Sequence, residues 1–455
     1  MVIFITIIEN SEKRSEIDSF GTVEISNHLL YGIQTVRALQ NLSFSGKALS
    51  LYPTYIKSLA MVKKAAALTN IETAAIDESL GSCILAACDE VISGRHLDQF
   101  PIDILHGGGG IGTNMNINEV IANLANEMTG SKRGSYSPIH PTDHVNVSQS
   151  TSDVCHTAMR IAIIKEYGQL ELSLRKVQAS LDKMADSCIE VTTISRTCLQ
   201  DAMRVQLGDS FSGYAAVLSR RHQSLKKSVM DLKKVNLGGT VIGTGSGASK
   251  RYQELVIGNI SKVTGFQLQK RENLFDAAQN IDDLANVSKQ LTLLATCLIK
   301  IGKDLRLLSS GPEAGFSEII LPSLMAGSSF FPGKVNPVIP ETLIQSCFQV
   351  LGCDRVVQAT LEHGELDLNI FEGASGGNIL DAMKMLEKSL NLFSEKCLDG
   401  IKVNKEKCEE YANSFIPSVV ELKEKHGYSF VSKLMKDKGM KGVKEFLNSG
   451  GLEID

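Results

Sequence analysis

The sequence contains no tryptophan, and aromatic residues make up only 5% of its 455 positions. No window gathers lysine and arginine into a basic stripe, and the formal net charge is −4. Binding to nucleic acid or to an anionic membrane therefore has no electrostatic support. No run of about 18 apolar residues is present to span a bilayer. We expect a protein that handles small molecules and has neither a nucleic-acid nor a membrane partner.

Paired cysteine motifs are also missing. The chain has 10 cysteines but no CxxC pair, and Cys88, Cys297 and Cys347 lie in apolar helical stretches. This distribution is typical of reduced structural thiols and predicts a cytoplasmic location. The N-terminal segment MVIFITIIEN is apolar, but it lacks a basic region and a small-residue cleavage site, so we do not expect a signal peptide.

Apolar residues recur at alternating steps of four and three in several long stretches. The four stripes are Ile163, Tyr167, Leu170, Leu174, Val177, Leu181, Met184; Phe211, Tyr214, Leu218, Leu225, Leu232, Val235; Leu284, Val287, Leu291, Leu294, Leu298, Ile301, Leu305, Leu308; and Ile379, Met383, Leu386, Leu390, Phe393. Such spacing predicts long helices packed nearly parallel. With a further helix after Pro340, we expect about five. Because these stripes exceed what one chain should cover, we expect burial against other subunits.

The stretch AGSSFFPGKVNPVIPE, residues 326–341, excludes a regular helix or strand until after Pro337, and we expect a mobile loop. Ser328 and Ser329 offer hydroxyls, Lys334 a positive charge and Asn336 an amide, which together suit carboxylate binding. A serine acts as a base only where backbone N–H groups and a cation stabilise its alkoxide. The composition alone also fits an ordinary surface turn.

The order of residues in this stretch resembles the signature loop of the aspartase/fumarase superfamily, G-S-S-x-M-P-x-K-x-N followed by Glu. The matching positions are Gly327, Ser328, Ser329, Pro332, Lys334, Asn336 and Glu341. Phe331 departs from the pattern, since the family has methionine there.

Two further segments are similar to the same family. Tyr31, Gly32, Thr35, Arg37 and Ala38 match Y-G-x-x-T-x-R-A, and residues 114–120 match N-M-N-x-N-E-V. For Arg37 two interpretations stay open, neutralisation of a bound dicarboxylate or a surface salt bridge. The glycines before residue 114 also fit G-x-G-x-x-G. We interpret this as a chance match, because the chain lacks the alternating strands and helices of a dinucleotide-binding sheet.

The resemblance implies a mainly α-helical fold with three domains: residues 1–140, a central bundle of five long helices at 141–396, and a small helical domain at 397–455. It implies a homotetramer with a common helical core and active sites shared between three subunits. No cofactor or metal is expected.

The resemblance also implies a carbon–nitrogen lyase that converts L-aspartate to fumarate and ammonia by anti elimination. The base takes a weakly acidic proton, which is feasible when the adjacent carboxylate becomes an aci-carboxylate held by preorganised donors. Ser328 matches the catalytic base. The residues that match the grip on the carboxylate beside the acidic proton are Ser150, Thr151 and Ser329. Those that match the grip on the other carboxylate are Thr197, Lys334 and Asn336.

Three positions that contact the substrate amine in family aspartases differ here, where the chain has Ile111, Ser152 and Cys198. A lost hydrogen bond to a charged group costs roughly 1.5 to 3 kcal/mol. An alternative is therefore a lyase whose leaving group is not plain ammonia, such as an N-substituted aspartate. Glu341 lacks the histidine partner that the family pairs with it, which weakens a fumarate hydratase interpretation.

Two other classes stay open. Cys198 would be the nucleophile of a hydrolase-like site, although the sequence shows no histidine and Asx partners for it. A non-catalytic homologue would keep the helical scaffold but would have no need of the complete signature loop.

Overall fold

The structure, a computed structural model, describes residues 12–449. The apolar segment at residues 1–10, for which no signal peptide is expected, lies outside this range. Helices dominate the described chain. Their bounds are α1 Ile33–Leu42, α2 Pro53–Glu72, α3 Glu78–Ser93, α4 Ile111–Met128, α5 Thr151–Ser187, α6 Leu207–Asp231, α7 Lys250–Thr264, α8 Leu274–Gln279, α9 Asp282–Leu308, α10 Val338–Glu362, α11 Glu372–Lys396, α12 Lys405–Ala412, α13 Phe415–His426 and α14 Tyr428–Asn448.

Local sequence explains several helix ends. The Ser249 side chain accepts a hydrogen bond from Tyr252 N and so caps the start of α7. Helix α3 ends at Gly94, whose φ of 98° lies in the left-handed region that glycine adopts without strain. Helix α10 begins at Val338, slightly before the expected start after Pro340, because proline is tolerated in a first turn.

The strands form four two-stranded ladders in the described residues. They are β1 Lys13–Asp18 with β2 Gly21–Ser26, β3 Thr192–Thr197 with β4 Gln200–Gln206, β5 Lys234–Val235 with β6 Gln269–Lys270, and β7 Ile319–Ile320 with β8 Lys402–Val403. Only the short β5–β6 pair is parallel. No alternating parallel sheet exists in the range 12–449, so rejection of the dinucleotide-binding interpretation is confirmed.

The helical stripes are confirmed as core. Helices α5, α6, α9, α10 and α11 each have at least 25 residues. Every predicted stripe residue is buried except Leu308, which is half-buried. The stripe that begins at Phe211 continues beyond α6, since Leu232 and Val235 follow the end of that helix. A single chain already buries these stripe residues, and burial of the long helices against other subunits stays a prediction.

The chain divides into two compact units. The first contains residues 1–170, 223–293 and 349–385, and the second contains 171–222, 294–348 and 386–455. Each of the five long helices contributes one part to each unit. The division into domains at 1–140, 141–396 and 397–455 stays a prediction.

In the first unit, buried polar groups hold the helices together. Arg160 on α5 donates from Nε and Nη2 to the two carboxylate oxygens of Asp283 on α9, each at 2.8 Å. Asn259 on α7 donates to Thr69 Oγ1 of α2 at 3.0 Å.

Within the described part of the chain, no helix is long and apolar enough to cross a membrane.

In the second unit, the C-terminal segment forms a small helical core. Leu422 on α13 and Val431, Val443 and Phe446 on α14 are buried against one another. Residues 405–448 are therefore mainly helical, as the family resemblance implies for this part of the chain.

Candidate active site

The signature loop connects β7 to α10 and closes on itself. Gly327 N donates to Lys334 O at 2.9 Å, and Asn336 Nδ2 donates to Gly327 O at 2.7 Å. A Cβ at residue 327 would lie 2.3 Å from Lys334 O, so only glycine permits this close approach. The prediction that regular structure starts only after Pro337 is confirmed.

The loop surrounds the Ser328 hydroxyl with backbone donors. Ser328 Oγ accepts hydrogen bonds from Phe330 N at 3.0 Å and from Phe331 N at 2.8 Å. Two N–H groups aimed at one oxygen stabilise negative charge on it without reorganisation. This geometry favours the alkoxide form of Ser328, which a serine base requires.

Lys334 and Phe331 lie side by side on the exposed face of the loop. Lys334 Nζ is 5.9 Å from the Phe331 ring centroid, a cation–π distance. Phe331 is 58% exposed and meets the Phe330 ring edge to face at 4.8 Å. Lys334 has no carboxylate partner within residues 12–449, so its charge is available to an anion.

A cleft of about 460 Å³ adjoins the loop, lined among others by Lys303, Arg306, Lys334, Asn336 and Glu341. Arg306 Nε lies 3.3 Å from Glu341 Oε1. Glu341, which lacks its family histidine partner, therefore has an arginine partner in this chain. Three cations against one carboxylate give the cleft a positive character that suits a dicarboxylate.

The second candidate loop is the β3–β4 hairpin. Thr197 ends β3, and Cys198 and Leu199 form its two-residue turn with φ of 53° and 60°. Left-handed conformations at both turn positions are typical of a type I′ hairpin. All three side chains are exposed. The Cys198 thiol has no hydrogen-bond partner among the residues described, which leaves the nucleophile interpretation without a base.

The base of this hairpin is tightly held. Arg196 Nη1 contacts Glu318 Oε2 at 2.6 Å, and the Arg196 guanidinium lies 4.1 Å from the Phe316 ring centroid. Thr193 Oγ1 also donates to the buried Glu318. The hairpin therefore presents Thr197 from a fixed base, although sequence reasoning did not identify Arg196 or Glu318.

The third candidate segment, residues 146–153, belongs to the first unit. Ser150 N donates to Asp153 Oδ1 at 2.9 Å, and Asp153 Oδ2 accepts from Gly238 N at 3.0 Å and Thr240 N at 3.1 Å. Burial raises the pKa of Asp153 to about 6. Asp153 thus fixes the turn that carries Ser150 and Thr151.

Buried polar side chains support the same segment from below. Lys63 is 0% exposed and donates to Asn146 Oδ1 at 2.9 Å and Gln149 Oε1 at 3.0 Å. Asn114 Nδ2 donates to Asn146 Oδ1 and Thr151 Oγ1, both at 3.0 Å. Burial lowers the pKa of Lys63 to about 7. The sequence analysis did not identify Lys63. Its position within the alanine-rich stretch of α2 could have indicated a buried lysine.

The amine-contact positions differ in accessibility. Ser152 is only 3% exposed, and its Oγ has no hydrogen-bond partner. Ile111 begins α4 and is 46% exposed.

Arg37 pairs with Asp18, with Nη2 and Oδ1 2.8 Å apart, which lowers the pKa of Asp18 to about 2. The structure therefore shows the salt bridge, one of the two interpretations of Arg37.

The candidate residues divide between the two units. Ser328, Ser329, Lys334 and Asn336 share one loop of the second unit, which also contains Thr197 and Cys198, and Ser150, Thr151 and Ser152 belong to the first. No cluster of three or more His, Cys, Asp or Glu side chains able to hold a metal occurs in the described range.

The comparison with protein families places this mainly helical chain in the lyase class of enzymes. A family model described as Lyase matches residues 21–352. The chain is 40% identical over 433 residues to an aspartate ammonia-lyase of a Bacillus species, covering 95% of this chain and 92% of the relative. It is 39% identical over 443 residues to the Escherichia coli K12 aspartate ammonia-lyase, covering 96% and 92%.

Solved structures agree with this assignment. A fumarate lyase:delta crystallin from Brucella melitensis bound to cobalt superposes with a TM-score of 0.94 at 41% identity, covering 97% of this chain and 96% of that chain. A class II fumarase from Schistosoma mansoni superposes with a TM-score of 0.92 at 31% identity, with the same coverage. The chain is a lyase, and it belongs to the aspartase/fumarase superfamily.

Proposed function

We propose that the protein is an aspartate ammonia-lyase, which removes ammonia from L-aspartate to give fumarate. The main structural support is the pair of backbone N–H groups that donate to Ser328 Oγ. They stabilise negative charge on this oxygen, which the role of base requires. The aspartate ammonia-lyases at about 40% identity over most of the chain support the substrate.

In this mechanism Ser328 takes the proton from the carbon next to the leaving amine. Negative charge then develops on the adjacent carboxylate, which Ser150, Thr151 and Ser329 hold. Thr197, Lys334 and Asn336 bind the other carboxylate, and this fixed orientation keeps the acidic proton within reach of the serine. Expulsion of ammonia completes the anti elimination and leaves fumarate.

The experiment is a direct assay of fumarate formation by ultraviolet absorbance with L-aspartate as substrate. Rapid turnover that disappears in Ser328→Ala supports the proposal. Ser212→Ala is the control, since Ser212 is exposed on α6 and lies outside the candidate loops. Absence of fumarate with the wild-type protein would refute it.

A second candidate is a lyase with a bulkier or less charged nitrogen leaving group. The residues at the three amine-contact positions favour it. The Ile111 side chain cannot form a hydrogen bond with an ammonium group, and the Cys198 thiol forms only a weak one. The third residue, Ser152, is buried. A panel of N-substituted aspartates, compared by kcat/KM with L-aspartate, separates the two. Higher kcat/KM for L-aspartate than for every analogue would eliminate this candidate.

We also propose a homotetramer whose active sites each combine three subunits. Exposed apolar side chains on four of the five long helices support an oligomer, because such surface is usually covered. They are Leu172, Leu293, Phe348, Val356 and Leu392. Mixing inactive Ser328→Ala with inactive Thr151→Ala subunits should restore part of the activity. If the reassembled mixture stays inactive, the shared-site proposal fails.

A cytoplasmic location belongs to the same proposal. All ten cysteines are free and six of them are buried, a state that persists most readily in a reducing compartment. Fractionation of the native cells by activity would test it.

A further inference from the structure

A small cavity lies behind the glycine-rich loop of the first unit. Its volume is about 90 Å³, and it is lined by residues 104–108, 110 and 370–374 together with Tyr55 and Thr113. A water molecule occupies about 30 Å³ in the liquid, so the cavity has room for a few species of that size. None of the proposed catalytic steps uses it.

The cavity contains an unpaired acidic side chain. Glu372, the first residue of α11, is 4% exposed, and its Oε1 is buried without a hydrogen-bond partner. The cation that influences it is Arg160, but Arg160 is already bonded to Asp283 and, through Nη1, to His156 O at 3.0 Å. A buried carboxylate without a partner is costly, so this group needs a proton or another cation.

The other titratable groups around the cavity are His106, Tyr55 and Cys155. Thr113 N donates to His106 Nε2 at 3.2 Å, and His106 Nδ1 lies 2.7 Å from Gly107 O, so both ring nitrogens already have partners. Burial raises the pKa of the Tyr55 hydroxyl and of the Cys155 thiol. No side chain of the cavity therefore neutralises Glu372.

A backbone carbonyl group lies against the first turn of α11. A Cβ on Gly373 would lie 2.6 Å from Ile104 O, so glycine allows this carbonyl to approach the first turn of α11. One carboxylate with neutral oxygens suits a monovalent cation, whereas divalent ions select sites with more acidic ligands.

We propose that this cavity is a binding site for a monovalent cation of the size of ammonium or potassium, with Glu372 as its only anionic ligand. The site goes beyond the proposed reaction and needs no substrate to fill. Ammonium is nevertheless the product of that reaction, so the cavity would sense its concentration.

The proposal has a defined pH dependence. Burial raises the pKa of Glu372 to about 8, so the entering cation displaces a proton from the carboxyl group. Affinity should therefore increase nearly tenfold per pH unit below that pKa and level off above it. The titratable and charged groups facing Glu372 are Tyr55, His106, Cys155 and Arg160. Burial raises the pKa of Tyr55 and of Cys155, so neither of these gains charge below the pKa of Glu372.

The test is isothermal titration of the full chain, without substrate, with ammonium chloride and with potassium chloride. Tetramethylammonium chloride keeps the ionic strength constant and serves as a cation too large for the cavity. We expect one binding site per chain. Below the pKa of Glu372, raising the pH by one unit should tighten binding roughly tenfold. Binding should also release a proton, which is detected by comparing the heats in two buffers of different ionisation enthalpy. Glu372→Gln should abolish binding, whereas Glu395→Gln, exposed on the same helix, should not.

Equal binding by wild type and Glu372→Gln, or equal competition by tetramethylammonium, would overturn the proposal. If Glu372→Gln does not fold, the wild-type titrations decide, and cation binding without release of a proton below the pKa of Glu372 is equally contrary to the proposal. A protein that binds ammonium but does not act on L-aspartate would refute the proposed function alone. Turnover of L-aspartate without cation binding would refute only the cavity site.

Discussion

The signature loop and the segment 146–153 carry two groups of residues that we propose bind the substrate carboxylates, but they are stabilised in opposite ways. The signature loop is largely exposed, and its hydrogen bonds to Gly327 and Ser328 come from residues within the same short loop. The segment 146–153 takes its bonds from distant parts of the chain, including Lys63, Asn114 and Gly238. One geometry is local and the other is imposed by tertiary structure.

Because of this difference, the signature loop is free to move, whereas the segment 146–153 is held rigid. A loop whose bonds are internal can move as a unit while it keeps the N–H groups on Ser328. A segment bound to buried groups holds Thr151 in one position, because moving it would leave buried polar atoms unpaired. Changes in the loop should therefore alter catalysis, whereas changes beneath the segment should alter stability as well.

The largest expected effect is that of Ser328→Ala. Removal of a general base lowers rates by about 10² to 10⁴-fold, and we expect a fall in kcat of that size with no change in melting temperature. Steady-state assays and thermal unfolding measure the two quantities. If the melting temperature of Ser328→Ala also falls, the loop contributes to the stability of the fold as well as to catalysis.

Lys63→Met should have the second largest effect, and on stability. The variant leaves Gln149 Oε1 without its lysine donor, which costs about 1–3 kcal/mol of unfolding free energy. Lys64→Met is the matched control, because the neighbouring Lys64 pairs with the exposed Asp89 and exposed pairs contribute about 0–1 kcal/mol. Urea denaturation compares them. Equal losses in both variants would contradict the role given to the buried network.

The pH dependence of stability sharpens the same contrast. The pKa of Lys63 falls from 10.5 to about 7 on folding, so the unfolded chain binds more protons between these values. The unfolding free energy of the wild type should rise with pH there relative to Lys63→Met, by at most about 1.4 kcal/mol per unit. Glu372 has a pKa raised from 4.5 to about 8, so stability relative to Glu372→Gln should fall across that range. Denaturation at several pH values tests both signs, and a flat difference would contradict them.

Phe331→Met should have the smallest effect. The change removes the ring contact with Lys334 but keeps the backbone N–H that bonds Ser328 Oγ. We expect kcat/KM to change by less than tenfold, which corresponds to about 1.4 kcal/mol. Pro332→Ala, at the next residue, controls for loop flexibility. A loss as large as that of Ser328→Ala would mean that the ring itself is catalytic.

Much of the fold was predictable because helix periodicity is a local property. The stripe from Leu284 to Leu305 is buried as predicted, and the glycines and prolines of residues 326–337 exclude regular structure as expected. What covers the stripes was not predictable, because periodicity shows that a helix face is buried but not which surface buries it.

Part of the candidate site was not predictable in the same way. The motif identified Ser328, Lys334 and Asn336 but gave no reason to expect an arginine partner for Glu341. Arg196 and Glu318 are 122 residues apart, and no local pattern relates them. Their contact depends on the packing of the second unit.

The sequence by itself determined the helices, the position of the signature loop and the family, because each depends on residues that are near one another in the chain. Only the tertiary structure decided that Lys63 supports Asn146, that Ser152 is buried and that Glu372 lines a cavity without a partner. Burial and hydrogen bonding between distant residues set these properties, since they depend on which polar groups share the same space after folding.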